Sequence, residues 1–305
     1  MSIHQMAGSR TTWINIIHPT PKDVEALHRI YPYIHPLNLE DILSSNERPK
    51  IDVYDDYIFI VMHFPSFDAR ARLTRPAEVE FLIGRGYVVT IHDGILKGLN
   101  ELYDRCVVNS EEPGKFLNGS ASHALYYLLD HLVDHLFPIL RHVDSNIRKI
   151  EENIFTSDAR EIIREIAIQR RDIIALRRII RQQVPVFQTL EKTDHAVIQE
   201  ELEDYFGDIL DHLYRGRDII DEDYEIIVGL AETADTLVSH RINSVMRVLT
   251  VISVIMLPLT LLSSIYGMNI NLPFADHPNA FLIVNGMMFT IAAAMLIYFR
   301  YKRWL

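Results

Sequence analysis

Val248 to Ile265 reads VLTVISVIMLPLTLLSSI, eighteen residues without a charge, and Ala280 to Phe299 reads AFLIVNGMMFTIAAAMLIYF, twenty more. Each is long enough to cross a hydrocarbon core of ~30 Å as a helix rising ~1.5 Å per residue. A core helix of a soluble protein can produce one such run. Two in succession, each flanked by bases, read as membrane spans. Arg241 and Arg247 precede the first span, and Arg300, Lys302 and Arg303 follow the second. The segment between them, Asn269 to Asn279, has no Lys or Arg. The positive-inside rule then predicts both ends of the chain in the cytoplasm and a short loop outside. Met1 to Arg10 has no apolar stretch of the kind a cleavable signal carries.

The first span carries a polar seam. Asn243, Met246, Thr250, Ser253, Leu257, Thr260 and Ser264 follow one another at spacings of three and four residues, one face of one helix. Val251, Ile252, Val254, Ile255, Leu259, Leu261 and Leu262 make the rest of that helix apolar. Polar side chains in a bilayer face a partner helix or a water-filled path. Packing through small residues uses the same residue types, so the spacing leaves a pore lining and a plain helix contact both open. One helix cannot enclose a pore, so the first reading needs several copies around an axis. Pro258 frees one carbonyl of this helix, a place to bend or to hold a ligand.

The 240 residues ahead of this region have a different chemistry. The chain of 305 residues is 49% hydrophobic and 23% charged, with 30 Lys+Arg against 41 Asp+Glu. From Arg241 onward five of those bases meet a single acid, Asp276, so the body is strongly acidic and the tail basic. An acidic body repels nucleic acid and attracts cations. The one cysteine, Cys106, excludes an internal disulfide and a thiolate metal cage and agrees with a reducing compartment. No phosphate-binding glycine loop, nucleophile elbow or zincin motif is present, so an enzyme and an organic cofactor are not expected.

Thr12 to Ile17, Ile51 to Val53, Tyr57 to Phe64, Val79 to Ile83 and Tyr87 to Ile91 read as strands. Asp55-Asp56 and Gly84-Arg85-Gly86 read as turns, and Pro21 to Ile30 and Leu39 to Ser44 as helices. From Ser120 the period is helical, through Phe155 and again from Asp158, where Asp158 and Glu161 resemble a capping box, to about Gln183. Pro185 should end that helix. A third helix starting near His195 is expected to run into the first span, a stalk of about seventy residues and on the order of 100 Å. The expected organisation is an α/β domain over 1–119, antiparallel helices over 120–190 and a stalk helix over 191–247. The first span follows over 248–266, an external loop over 267–279, the second span over 280–299 and a basic tail over 300–305.

Tyr266-Gly267-Met268-Asn269 stands directly after the first span, preceded by Asn243, Met246, Leu249 and Thr250 and then Pro258-Leu259-Thr260. HPLNLEDIL (His35 to Leu43), Arg48-Pro49-Lys50 and the ending Lys302-Arg303-Trp304-Leu305 complete the pattern. On these residues the chain resembles the CorA-type divalent cation transporters, over nearly its whole length. The resemblance implies a homopentameric funnel in the cell (inner) membrane, with first spans around the pore and an α+β cytoplasmic part. It implies an outer selectivity ring of Gly267, Met268 and Asn269, and a pore lined by much of the seam above. It also implies regulatory metal at Asp68 and Asp208, where cytoplasmic Mg²⁺ closes the pore. The implied partners are further copies of the chain, divalent cations and lipid, with Mg²⁺ as both cargo and regulator.

Neutral Asn269 amides suit Mg²⁺, which keeps its water shell, and Met246 and Leu257 suit gating by dewetting. Asn269 has a plainer reading as a cap of the first span. Rival readings are a proton-coupled Zn²⁺ transporter of the same superfamily and a membrane-anchored scaffold or metal sensor. Met268 speaks against the former and the polar seam against the latter. The external loop, with Asp276 and His277, is poorer in acids than is usual in the family and leaves a softer ion open. His131 and His135 in HLVDH form a further possible zinc pair, more often simply solvated. The acidic run Asp218 to Glu225 (DIIDEDYE) reads as a solvated helix face. The pattern does not separate Mg²⁺ from Co²⁺, Ni²⁺ or Zn²⁺, nor import from export.

Overall fold

Two twelve-residue strands, β4 (Tyr57–Asp68) and β5 (Leu73–Gly84), form the hairpin around which the first part of the chain is built. The computed structural model describes residues 3–44, 47–109, 111–268 and 278–304, in two units, Met1–Ala231 and Glu232–Leu305. In the first unit the described strands make one six-stranded sheet in the order β1-β2-β6-β5-β4-β3. Its other strands are β1 (Ile3–Ala7), β2 (Thr12–Ile17), β3 (Lys50–Val53) and β6 (Tyr87–His92). Only β2 and β6 pair in parallel.

The hairpin strands run well past the expected Tyr57–Phe64 and Val79–Ile83. Pro65 and Pro76 sit opposite each other in the register. There β3 no longer flanks β4, nor β6 flanks β5, since their pairings end at Val61 and Val79. The prolines fall on a two-stranded ribbon with open edges, where a missing N–H breaks no ladder.

Ile58, Ile60, Met62, Phe81, Ile83 and Val88 are fully buried, and so are their alternating neighbours Phe59, Val61, Leu82 and Val89. Both sheet faces are therefore covered, which is why these strands read as unbroken apolar runs. One face carries the cluster of Ile14, Ile16, Phe59, Val61, Leu82 and Val89, with Val24 and Leu27 of α1 (Pro21–Ile30). Thr20 and Asp23 cap α1 reciprocally: the Thr20 N–H donates to Asp23 Oδ2 (3.1 Å) and the Asp23 N–H to Thr20 Oγ1 (3.4 Å). A second short helix, α2, is Pro36–Asp41. The helices α3 (Lys97–Val108), α4 (Gly114–Leu117), α5 (Ala121–Asp134), α6 (Leu136–Asn153) and α7 (Ala159–Glu191) follow β6. Of these, α5, α6 and α7 lie against strands of the sheet.

Three expectations are corrected. The helix expected over Ser120–Phe155 is two helices, divided at His135. Pro138 supplies the reason, because it has no N–H for the carbonyl of Asp134. Pro185 does not end α7, which continues to Glu191. A mid-helix proline costs about 3 kcal/mol. Beyond it Phe187 and Leu190 are fully buried and Val186 nearly so, each worth about 1.5–3 kcal/mol. Packing wins. The long helix α8 starts at Glu203, after a 3₁₀ turn at Glu200–Leu202, and not near His195. It runs 64 residues to Tyr266, with Pro258 inside it.

The second unit contains the end of α8 and α9 (Ala280–Tyr301). Their apolar stretches are long enough to span a bilayer and almost wholly uncovered. Phe281 and Phe289 are each 78% exposed.

Replacing Ile60 by Ala, at the centre of the sheet, is expected to lower stability by about 2–5 kcal/mol. Ile226→Ala, at a half-exposed position, is expected to cost under ~1 kcal/mol. Thermal unfolding of the detergent-solubilised chain measures both.

Candidate ion path and metal cluster

Asn243, Met246, Thr250, Ser253, Leu257, Thr260 and Ser264 are all exposed on α8, Leu257 at 70%. The covered or half-covered residues of this stretch are Val251, Ile255, Pro258, Leu259, Leu262 and Tyr266. At ~100° per residue these lie on the opposite side of the helix from the seam. Among the described residues the seam is thus not the face that this stretch of α8 uses for contacts within the chain. Thr250 Oγ1 donates to the carbonyl of Met246 (2.8 Å) and Thr260 Oγ1 to that of Met256 (2.9 Å). Each hydroxyl has spent its proton on the helix and offers lone pairs to whatever lies beside it.

The helix closes just before the GMN triplet. The Gly267 N–H is shared between the carbonyls of Ser263 (3.0 Å) and Ser264 (3.2 Å), and the Met268 N–H donates to Ile265 (3.1 Å). Gly267 and Met268 are exposed. Asn269, Asp276 and His277 lie outside the described residues.

Asp68 closes the end of β4. Its Oδ1 accepts from the N–H groups of Arg70 (2.9 Å) and Ala71 (3.1 Å), and Arg75 stands 3.7 Å from Oδ2. The Ala71 N–H foremost, then that of Arg70 and the arginine charges, hold the carboxyl below its usual range, against some desolvation. Asp208 is exposed on the second turn of α8.

A grouping that the sequence reading missed lies nearby. Asp130 and Asp134 of α5 and His212 of α8 bring one ligand atom each within 4.8 Å of one another. Burial, then the charge of Asp134, then that of Asp208 push the Asp130 carboxyl up, and His212 opposes them. Two carboxylates and an imidazole make a donor set that suits a divalent ion of intermediate softness. The signal was present as two i,i+4 pairs, Asp130/Asp134 in LLDHLVDH and Asp208/His212 in GDILDH. The neighbouring His131 and His135 take no part in the grouping. His131 Nε2 is 3.2 Å from the Gly98 carbonyl and His135 Nδ1 2.7 Å from that of His131, so backbone engages both rings.

The family model of the CorA-like Mg²⁺ transporter protein matches residues 8–303. The chain belongs to the CorA-like Mg²⁺ transporter family. It is 31% identical over 303 residues to the cobalt/magnesium transport protein CorA of Thermotoga maritima, covering 98% of this chain and 84% of that protein. Its fold matches the CorA magnesium transporter of Methanocaldococcus jannaschii with a TM-score of 0.88, at 20% identity, over 99% of this chain and 98% of the other. Full-length CmaX matches with a TM-score of 0.75 at 19% identity, over 97% and 90% of the two chains. The CorA family comprises divalent metal ion transporters, not enzymes. The two apolar C-terminal helices make this member a membrane protein.

Asp68 has two separable duties, as an acceptor for its turn and as a charge. Without divalent ions, Asp68→Asn is expected to keep the thermal midpoint, since the amide oxygen still accepts, whereas Asp68→Ala lowers it. If metal is bound there, both variants lose the upward shift of the midpoint that added Mg²⁺ gives the wild type.

Proposed function

We propose that the chain forms a homopentameric channel that passes Mg²⁺, with Co²⁺ and Ni²⁺ as further ions, into the cell down the electrochemical gradient. The observation that carries this reading is the uncovered polar seam of α8, ending in Gly267-Met268-Asn269. The cargo named for the Thermotoga maritima relative, cobalt and magnesium, agrees with it.

Five seams around an axis place their hydroxyls and Asn243 amides toward water and their apolar backs toward the second spans and lipid. Thr250, Ser253, Thr260 and Ser264 then supply neutral oxygens. Mg²⁺ sheds its waters reluctantly, so neutral acceptors that bond to the water shell let it enter and leave. Carboxylates in the same places would hold it. Rings of Met246 and Leu257 narrow the path with apolar surface and close it by dewetting. Gly267, Met268 and the Asn269 amide form the outer ring. The sequence has no nucleotide-binding motif, and the ion gradient and the membrane potential drive the flux, the latter with about 2.3 kcal/mol per elementary charge per 100 mV.

Control is assigned to the carboxylates of the cytoplasmic unit. Asp68 and Asp208 of neighbouring copies bind Mg²⁺ when it is plentiful. That binding favours the closed arrangement by its differential affinity for the two states. Both ends of the chain then lie in the cytoplasm of the cell (inner) membrane.

The test is Mg²⁺ entry into proteoliposomes, followed with a trapped indicator under an imposed potential, with Zn²⁺ as competitor. Potential-driven flux that Asn269→Ala abolishes in a still-assembled variant is the expected result. Zn²⁺ flux that needs a pH gradient would place the chain in the proton-coupled branch. No divalent flux at low internal Mg²⁺ would leave a membrane-anchored sensor.

A further inference from the structure

The acidic run Asp218 to Glu225 is only in part a solvated face. Asp218, Glu222 and Glu225 are exposed, but Asp223 is buried. Over this stretch α8 buries one stripe, Leu213, Gly216, Ile220, Asp223 and Ile227, at spacings of three and four. Leu213, Ile220 and Ile227 are at most 2% exposed and Asp223 is 4% exposed. The stripe lies against α6, since a Cβ on Gly216 would come 2.8 Å from Leu136 Cδ2. Asp223 therefore occupies a core position in an otherwise apolar seam.

Its carboxyl has little to hold a negative charge. Oδ2 is enclosed, and no donor among the described residues reaches it. Three charged groups act on it: Asp144 and Arg148 from α6, and Glu222 beside it on α8. Arg148 is already committed, with Nε 3.1 and 3.0 Å from the two oxygens of Asp144. Arg177 and Arg181 of α7 are held by Asp221. A buried carboxylate with an oxygen that no donor reaches, near two further acids, is costly, while a neutral carboxyl forgoes one hydrogen bond. Burial first, then Asp144 and Glu222, raise the pKa to about 7 against the pull of Arg148.

We propose that Asp223 is a proton-binding site of α8: with its proton the helix stays closed on α6, and loss of the proton admits water and loosens that contact. Proton binding here does not depend on the channel reading. Its consequence does, because α8 is one helix from Glu203 to Tyr266 and also carries the polar seam.

The sign follows from linkage. An exposed aspartate ionises near ~3.9, so between about 4 and about 7 the closed state binds one more proton than the open one. Protection of the contact then falls as pH rises through that window and levels off above it. The measurement is hydrogen–deuterium exchange of α6 and α8 peptides in the full-length detergent-solubilised protein. It is run from pH 5 to 8.5 in EDTA and corrected for intrinsic exchange. The wild type should lose protection by about tenfold per pH unit up to about pH 7 and then level. Asp223→Asn, and Asp223→Leu as the residue type of its own seam, should lack this slope. The same slope in all three proteins would overturn the proposal. So would a loss of protection at pH 8 that Mg²⁺ restores in the wild type alone, which would assign the carboxylate to a cation. Exchange is read without any transport, so failure of the channel reading leaves this result intact.

Discussion

Hydrocarbon that the chain does not cover itself sets the terms for everything else. Ile252 is 54% exposed, Phe281 and Phe289 78%, Leu282 and Ile297 69%. Each such side chain left in water forgoes about 1.5–3 kcal/mol. A dozen of them exceed the ~5–15 kcal/mol by which a folded domain is stable. Another apolar medium has to cover α9 and the end of α8, and lipid is that medium. Lipid is a poor cover for the seam from Asn243 to Ser264. Among the described residues nothing covers that face, and in the channel reading further copies packed around an axis do so. Membrane residence and the proposed assembly are thus two answers to one problem, surface that the chain does not cover itself.

In the channel reading α8 also ties control to conduction. α8 carries His212, which meets Asp130 and Asp134 of α5, and Asp223, which meets α6. The second contact places a titratable group in a buried, otherwise apolar stripe. Between those two groups Gly216 of α8 meets Leu136 of α6, where a Cβ would come 2.8 Å from Leu136 Cδ2. A contact that close does not yield gradually. It holds, or it admits water, and a ligand biases it only by its differential affinity for the two arrangements.

Much of this was legible from residue order, and the failures have physical causes. The spans were readable because lipid imposes a length and forbids charge. β4, β5 and β6 were readable because a sheet covered on both faces writes unbroken apolar runs. β1 escaped because an edge strand with the sequence IHQMA has neither a run nor clean alternation. α3 escaped because KGLNELYDRCVV opens with a helix-weakening glycine and no capping side chain. Pro185 misled because local preference loses to the burial of Phe187 and Leu190. The Asp130/Asp134/His212 grouping joins residues about eighty positions apart, and no periodicity shows which faces of two helices meet. Asp223 misled in the opposite sense, since an acid among acids reads as solvated until the stripe around it is seen to be buried.

The distribution of charge separates two tasks that conflict at one site. A site that senses an ion has to hold it long enough to shift an equilibrium, and carboxylates do so because their attraction is strong at short range. A site that passes an ion has to release it, and a ring of carboxylates would turn each entry into a trap. From Arg241 onward the chain has one acid, Asp276, and none within either span, while forty of its acids precede that point. The seam between Asn243 and Ser264 offers only amide, hydroxyl and apolar groups. In the channel reading the path binds weakly by having no charge. The sensing groups bind strongly and are joined to it by a helix, not by sharing its ligands. An acid introduced into the seam would merge the two tasks, with tighter binding at the expense of flux.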